Sequence, residues 1–216
     1  MWWNERENFA SLGIGHFIWY PKGVKSSFEE TFPSLLAFFE VHKVKLPDWL
    51  NKNSCCPWSS HQDFLTNALE TKKKELQNLL SETISLQATF IVERFEQTLQ
   101  KVFVDLPHSE KQDLLKKIES IGASLQGKYA LIDYLNFKGA GIAQTERYCG
   151  QGWGLRQVLQ EMPSNAKDPL LAFAETAKKM IRRRVQNAPR DRHEERWLPG
   201  WLKRIDSYFL TQPLKS

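Results

Sequence analysis

The chain runs to 216 residues with 41% hydrophobic content, eight tryptophans and a net charge of +5. That is enough apolar material for one well-buried globular domain, and no apolar run reaches the roughly 18 residues of a membrane span. The modest basic excess suits an anionic partner such as cell wall or nucleic acid without selecting one, and Cys55, Cys56 and Cys149, with no C-x-x-C among them, offer no disulfide framework and no redox compartment.

The first organised stretch runs from Asn8 to Pro21. Apolar, β-favouring residues (Phe9, Leu12, Ile14, Phe17, Ile18, Trp19, Tyr20) surround Gly13 and Gly15, which predicts a small bent β-hairpin over 9–20. Glycine inside a strand marks a bend or a place where another backbone or a ligand comes close. Ser11 and His16 then stand near a surface where something docks. The alternative is a buried β-corner in which His16 bonds a backbone carbonyl.

Further along, Ser27 and Glu30 have capping-box spacing ahead of a helix with Phe32, Leu35, Leu36 and Phe39 on its buried face. Residues 46–58 carry turn chemistry and read as an ordered loop. A Cys56–His61 nucleophile is conceivable there but lacks an orienting third group. From Gln62 to Leu106 the periodicity is helical, with Phe64, Leu65, Ala68, Leu69, Leu76, Leu79 and Leu80 as one stripe, a break at Ser81–Thr83, and Lys72–Lys74 facing water. Ser109 and Gln112 predict a capped helix ending at Gly122.

A helix of about 126–138 then ends in Asn136, Gly139 and Gly141, and the loop Glu146–Leu155 is the densest in glycine and aromatics. Its Gln151 and Trp153 suit a sugar surface, where ring faces stack and amides meet hydroxyls; the plain alternative is a structural turn with Trp153 as a core plug. Asp168-Pro169 opens a helix with Leu170, Leu171, Phe173, Ala174, Ala177, Ile181 and Val185 buried, and Arg182–Arg184 complement its C-terminal dipole. A last amphipathic helix carries Trp201, Ile205 and Tyr208.

Three of these segments carry a resemblance. Ser11-Leu12-Gly13-Ile14-Gly15-His16 resembles the T-I-G-I-G-H hairpin of phage-type lysozymes and endolysins. The helix ending at Asn136 resembles that family's central helix, with Asn136 one residue farther from its glycine. The segment Asn187–Leu198 is similar to the family's penultimate turn, where Arg and Glu pin the catalytic lobe to the helical lobe. The residues from Trp3 to Pro21 are also similar to a core shared by uncharacterised bacterial proteins, in which an Asn-Glu-x-Gly-Gly segment lies upstream.

The resemblance implies a lysozyme-like α+β, mainly α fold: a single domain over 1–216, with the hairpin and cleft edge in 1–25 and a helical lobe in 26–216. It implies a glycoside hydrolase acting on the β-1,4 glycan of peptidoglycan through two carboxylates. Glu5 or Glu7 is then the second carboxylate and Ser11 positions water, while His16, Tyr20, Asn136, Gln151 and Trp153 line the sugar cleft; one concave surface is expected to gather Glu7, Ser11, His16, Asn136, Gln151 and Trp153. The family's general acid is a glutamate on a helix roughly 15 to 20 residues ahead of G-I-G-H, in an apolar setting that raises its pKa. Twelve residues precede Gly13, so the chain is expected to lack that upstream helix and to be a poor or inactive glycosidase.

The alternative is a non-catalytic glycan-binding or protein-interaction module on the same scaffold. No metal or cofactor is expected. The expected partner is a polysaccharide rather than nucleic acid, whose binding would fall steeply with salt. Oligomeric state stays open, and so does location: periplasmic or secreted if an export signal precedes the chain, cytoplasmic otherwise.

Overall fold

The computed structural model describes residues 1–24, 28–66, 69–144 and 146–210, so the expected caps and stripe positions at Ser27 and Ala68 lie outside the described residues. The fold is α+β and mainly helical, with a small antiparallel sheet at the N-terminus. Two compact units, Met1–Glu93 and Arg94–Ser216, each enclose a hydrophobic core.

In the first unit, β1 (Trp2–Asn4), β2 (Phe9–Leu12) and β3 (Phe17–Trp19) pair antiparallel in that order. The hairpin expected over 9–20 is therefore present, widened by β1, a strand too short to show period-2 alternation in the sequence. The register pairs Trp3 with Ala10 and Ala10 with Trp19, and it pairs Trp2 with Ser11 and Ser11 with Ile18. Successive side chains alternate between faces. Trp3, Ala10, Leu12, Phe17 and Trp19 consequently enter the core, while Trp2, Ser11 and Ile18 share the opposite face.

Helix α1 (Phe32–Val41) buries the four residues expected, Phe32, Leu35, Leu36 and Phe39, and Phe32 packs its ring 4.7 Å from that of Trp19. Thr31 tethers this helix to β3: its Oγ1 accepts from the Ile18 N–H at 2.9 Å and its own N–H donates to the Ile18 carbonyl at 3.0 Å. Glu30, expected in a cap, instead accepts from the Tyr20 N–H at 2.7 Å. Helix α2 (His61–Leu65) is one short piece that ends at the extended backbone of Thr66, and Leu65 is exposed rather than part of the stripe. Helix α3 (Glu70–Glu82) buries Leu76, Leu79 and Leu80, and Lys73 and Lys72 lie over the rings of Phe64 and Trp49 rather than simply facing water. The break at Thr83 precedes α4 (Ile84–Val102).

The β2–β3 turn shows why its glycines are there. Gly13 has φ +64°, and a Cβ at that position would sit 2.3 Å from Oε1 of Gln87; at Gly15 it would sit 2.5 Å from the Phe17 ring. The close approach that the glycines signalled is made by the chain's own side chains. Gln87 is fully buried, accepts from the Ile14 N–H at 3.0 Å and donates to the Leu80 carbonyl and to Thr83 Oγ1, so the amide spends its donor and acceptor inside the fold.

The second unit is built on α5 (His108–Gly122), α6 (Leu125–Lys138), a two-stranded hairpin of β4 (Arg147–Tyr148) and β5 (Gln151–Gly152), α7 (Leu155–Glu161), α8 (Pro169–Asn187) and α9 (Leu198–Asp206). Pro107, not Ser109, stands at the start of α5, with no side-chain cap. Asp168 caps α8 as expected, accepting from the Leu171 N–H at 2.9 Å. α6 occupies the span expected of the central helix and buries Ala130, Leu131, Tyr134 and Leu135. Asp133 on it takes a two-pronged bond from Arg204 of α9 at 2.7 and 3.0 Å and a third from Tyr208. No described helix is long and apolar enough to cross a membrane.

Gly13→Ala adds a Cβ both to a left-handed backbone and against a buried amide, and should cost about 3 kcal/mol, read as a lowered urea midpoint. Gly23 has φ +82° and, among the described residues, nothing within 4 Å of a Cβ, so Gly23→Ala isolates the backbone term and should cost about 1 kcal/mol. Equal losses in the two variants would show that Gln87 is not what demands the glycine.

Candidate functional site

In the first unit, the outward face of the sheet gathers the polar residues singled out in the sequence. Ser11 Oγ and Trp2 Nε1 both lie against His16 Nδ1, at 3.3 and 3.4 Å. An indole N–H can only donate, so Nδ1 is the acceptor and the imidazole proton sits on Nε2. His16 holds this place because the turn gives it φ +51°, with its N–H bonded to the Gly13 carbonyl. Ser11 is buried beneath, whereas Trp2 is 45% exposed. An amphipathic ring therefore lies in solvent beside a hydroxyl and an imidazole.

Glu5 and Glu7 lie in the β1–β2 turn, at the end of the same sheet. Glu5 is largely in solvent, its carboxylate 3.1 Å from Nδ1 of His61; Glu7 is half-buried, and its N–H is tied to Asn4 Oδ1. Tyr20 is buried, edge-on to Phe9, and its hydroxyl accepts from the Phe28 N–H. Cys56 does not pair with His61 as a nucleophile: burial pushes its thiol up to about 12, which leaves it protonated and inert near neutrality.

In the second unit, the glycine-rich loop is an internal lattice. Gly141 donates to the Glu146 carboxylate at 3.1 Å, Gln157 Nε2 donates to the Gly141 carbonyl, and Gln157 Oε1 accepts from the Gly154 N–H. Burial raises the Glu146 carboxyl, although backbone N–H donors pull the other way. A Cβ on Gly154 would meet the backbone of Gly141 at 2.2 Å, so two chain segments cross here with no room for a side chain. Trp153 is buried, held by the Tyr134 hydroxyl on its carbonyl at 2.7 Å and by the Arg184 guanidinium 4.1 Å above its ring. It occupies the core-plug position that was the plain alternative for it. Asn136 is exposed on α6, and Gln151 is exposed on β5 with its amide oxygen bonded by Asn187.

Glu194 of the closing segment forms a buried ion pair with an arginine of α8, not with an arginine of its own segment. Arg184 on α8 donates from Nε and Nη2 to the two oxygens of Glu194 at 2.7 Å each, and Tyr148 of β4 adds a third bond at 2.9 Å. Burial would raise the Glu194 carboxyl, but the Arg184 bonds and charge, with Tyr148 and Lys138, hold it below its ordinary value. Lys138 itself is buried over Trp201, and desolvation together with the like charge of Arg184 drives its ammonium well below its ordinary pKa.

Beside this lattice opens a polar cleft of about 420 Å³ between the β4–β5 hairpin, α7 and α8. Arg147, Arg156 and Arg183 line it, with Gln151 and Gln160. Among the described residues no group of three or more His, Cys, Asp or Glu could hold a metal ion.

Trp2, Arg147 and Arg156 carried no site signal in the sequence, and Arg183 was read only as part of the basic run at the end of α8. A tryptophan two residues from the start and arginines spaced from 147 to 183 share no periodicity. Comparison with known protein families, with curated proteins and with solved structures finds no match to this chain.

Glu194→Gln should cost about 3 kcal/mol because it leaves Arg184 buried without its counter-charge. The sign with pH follows from the depressed carboxyl. Its stabilisation is present above the unfolded value near 4.5 and is lost as pH falls through the folded one. The variant's stability curve should be flatter on the acid side than that of the parent; parallel curves between pH 6 and 3 would contradict this.

Proposed function

We propose that the chain is a lysozyme-like module directed at β-1,4 glycan of the cell-wall type, and that it acts first as a glycan binder. The observation that carries this reading is the Trp2–His16–Ser11 cluster. Sugar rings present apolar C–H faces and a rim of hydroxyls; the exposed Trp2 indole suits the first and the exposed His16 imidazole beside it suits the second, with Ser11 holding the imidazole from beneath.

Hydrolysis is the second reading, favoured by the two carboxylates at the end of the same sheet. Two-carboxylate chemistry needs one carboxyl kept protonated by an apolar setting. Glu5 is mostly in water and paired with His61, which suits the second carboxylate better than the acid. Glu146 has its carboxyl raised by burial, but one oxygen is spent on the Gly141 N–H that shapes the loop. Binding therefore ranks above turnover.

The test is calorimetry with a chitin hexasaccharide and sedimentation with purified peptidoglycan. Saturable binding is expected, weakened about tenfold in Trp2→Ala with the fold intact by circular dichroism. A folded protein that binds neither glycan would end the proposal. Release of reducing ends by the parent that disappears in Glu7→Gln or Glu5→Gln would establish the hydrolase reading in place of simple binding.

A further inference from the structure

The cleft of the second unit has more guanidinium than the fold uses. Three arginines line it against the single carboxylate of Glu161. Arg183 is accounted for: it pairs with Glu161 and donates to the Gly152 carbonyl at 3.3 Å. Glu161 is shared further with Lys179, so it has little left for the other two arginines. Arg156 sends Nη2 to the Val104 carbonyl at 2.6 Å, yet its Nε is buried with no hydrogen-bond partner. Arg147 is half-buried on β4, has a buried Nε that likewise lacks a partner, and forms no ion pair among the described residues.

A buried N–H without an acceptor has given up its water for nothing, and native proteins rarely leave one so. Here both orphans belong to arginines that line one cleft; the Nε atoms are closed to solvent, so the rest of each guanidinium is what a ligand in the cleft would meet. Nearby, Gln151 and Gln160 add amides on the same wall, and both already bond neighbours at 3.1 and 2.7 Å, so their orientation is set. A cleft of about 420 Å³ falls within the usual range for small-molecule sites.

We propose that this cleft is a binding site for an oxyanion, a phosphate or carboxylate group carried on a small polar molecule. Guanidinium forks match both groups through paired N–H···O bonds, and the amides of the wall suit hydroxyl or amide substituents on the same ligand. The site is formed by the second unit alone, so it stands independently of the glycan surface on the first.

The experiment titrates the full chain, in 150 mM salt, with inorganic phosphate, glycerol 3-phosphate and glutarate, followed by calorimetry and by the arginine Nε–H resonances. Saturable binding of at least one probe is expected, with the Arg147 and Arg156 Nε–H signals shifting as it binds. Saturation by the two phosphates alone assigns the phosphate class, saturation by glutarate alone assigns the carboxylate class, and saturation by both assigns their shared chemistry. Arg147→Gln removes no side-chain hydrogen bond or ion pair among the described residues and should weaken binding about tenfold or more. Lys128→Gln, on the exposed face of α6, should leave it unchanged. Failure of all three probes to saturate the folded protein, or equal affinity in the parent and Arg147→Gln, overturns the proposal.

Discussion

The buried amide of Gln87 is the constraint on which the N-terminal unit turns. A side chain from α4 reaches into the β2–β3 turn, takes the Ile14 N–H, and leaves no space for a Cβ at Gly13. That contact sets the turn, the turn sets the left-handed backbone of His16, and His16 receives Trp2 and Ser11 from two neighbouring strands. A polar side chain inside an apolar core is costly unless its donors and acceptor are all used, and Gln87 meets that condition through Leu80 and Thr83. The core and the surface cluster are therefore coupled through one residue.

The second unit uses charge for the same end. Glu194 collects Arg184 and Tyr148, and Asp133 collects Arg204 and Tyr208, so α8, α9 and the hairpin are fastened to α6 and to the chain after α8 by bonds with fixed geometry. Glu146 and Gln157 do the same for the glycine-rich loop, whose glycines serve the crossing of Gly141 and Gly154. Against this thrift, the unpartnered Nε–H groups of Arg147 and Arg156 stand apart within this unit.

Much of the helical frame was legible because its signals are local. Asp168-Pro169 is a cap followed by a preset φ, and of the expected α8 stripe Phe173, Ala174, Ala177 and Ile181 are buried, whereas Leu171 is exposed and Leu170 and Val185 are half-buried. Phe32, Leu35, Leu36 and Phe39 behave alike on α1. Where local signals misled, a partner distant in sequence had taken the residue: Glu30 turned to the Tyr20 N–H instead of a cap, and Lys72 and Lys73 lay over Trp49 and Phe64.

The N-terminal hairpin, the helix over 125–138 and the need for glycine at Gly13 and Gly15 were written in the sequence alone, because backbone conformation and apolar periodicity are properties of neighbouring residues. What those glycines make room for was decided only by tertiary structure: Gln87 comes from 74 positions beyond Gly13 and leaves no mark near it. The same holds for the surface that brings Trp2 to His16 and for the cleft that joins Arg147, Arg156 and Arg183. Side chains on different elements meet only when strand register and helix packing are complete, and no spacing along the chain encodes that meeting.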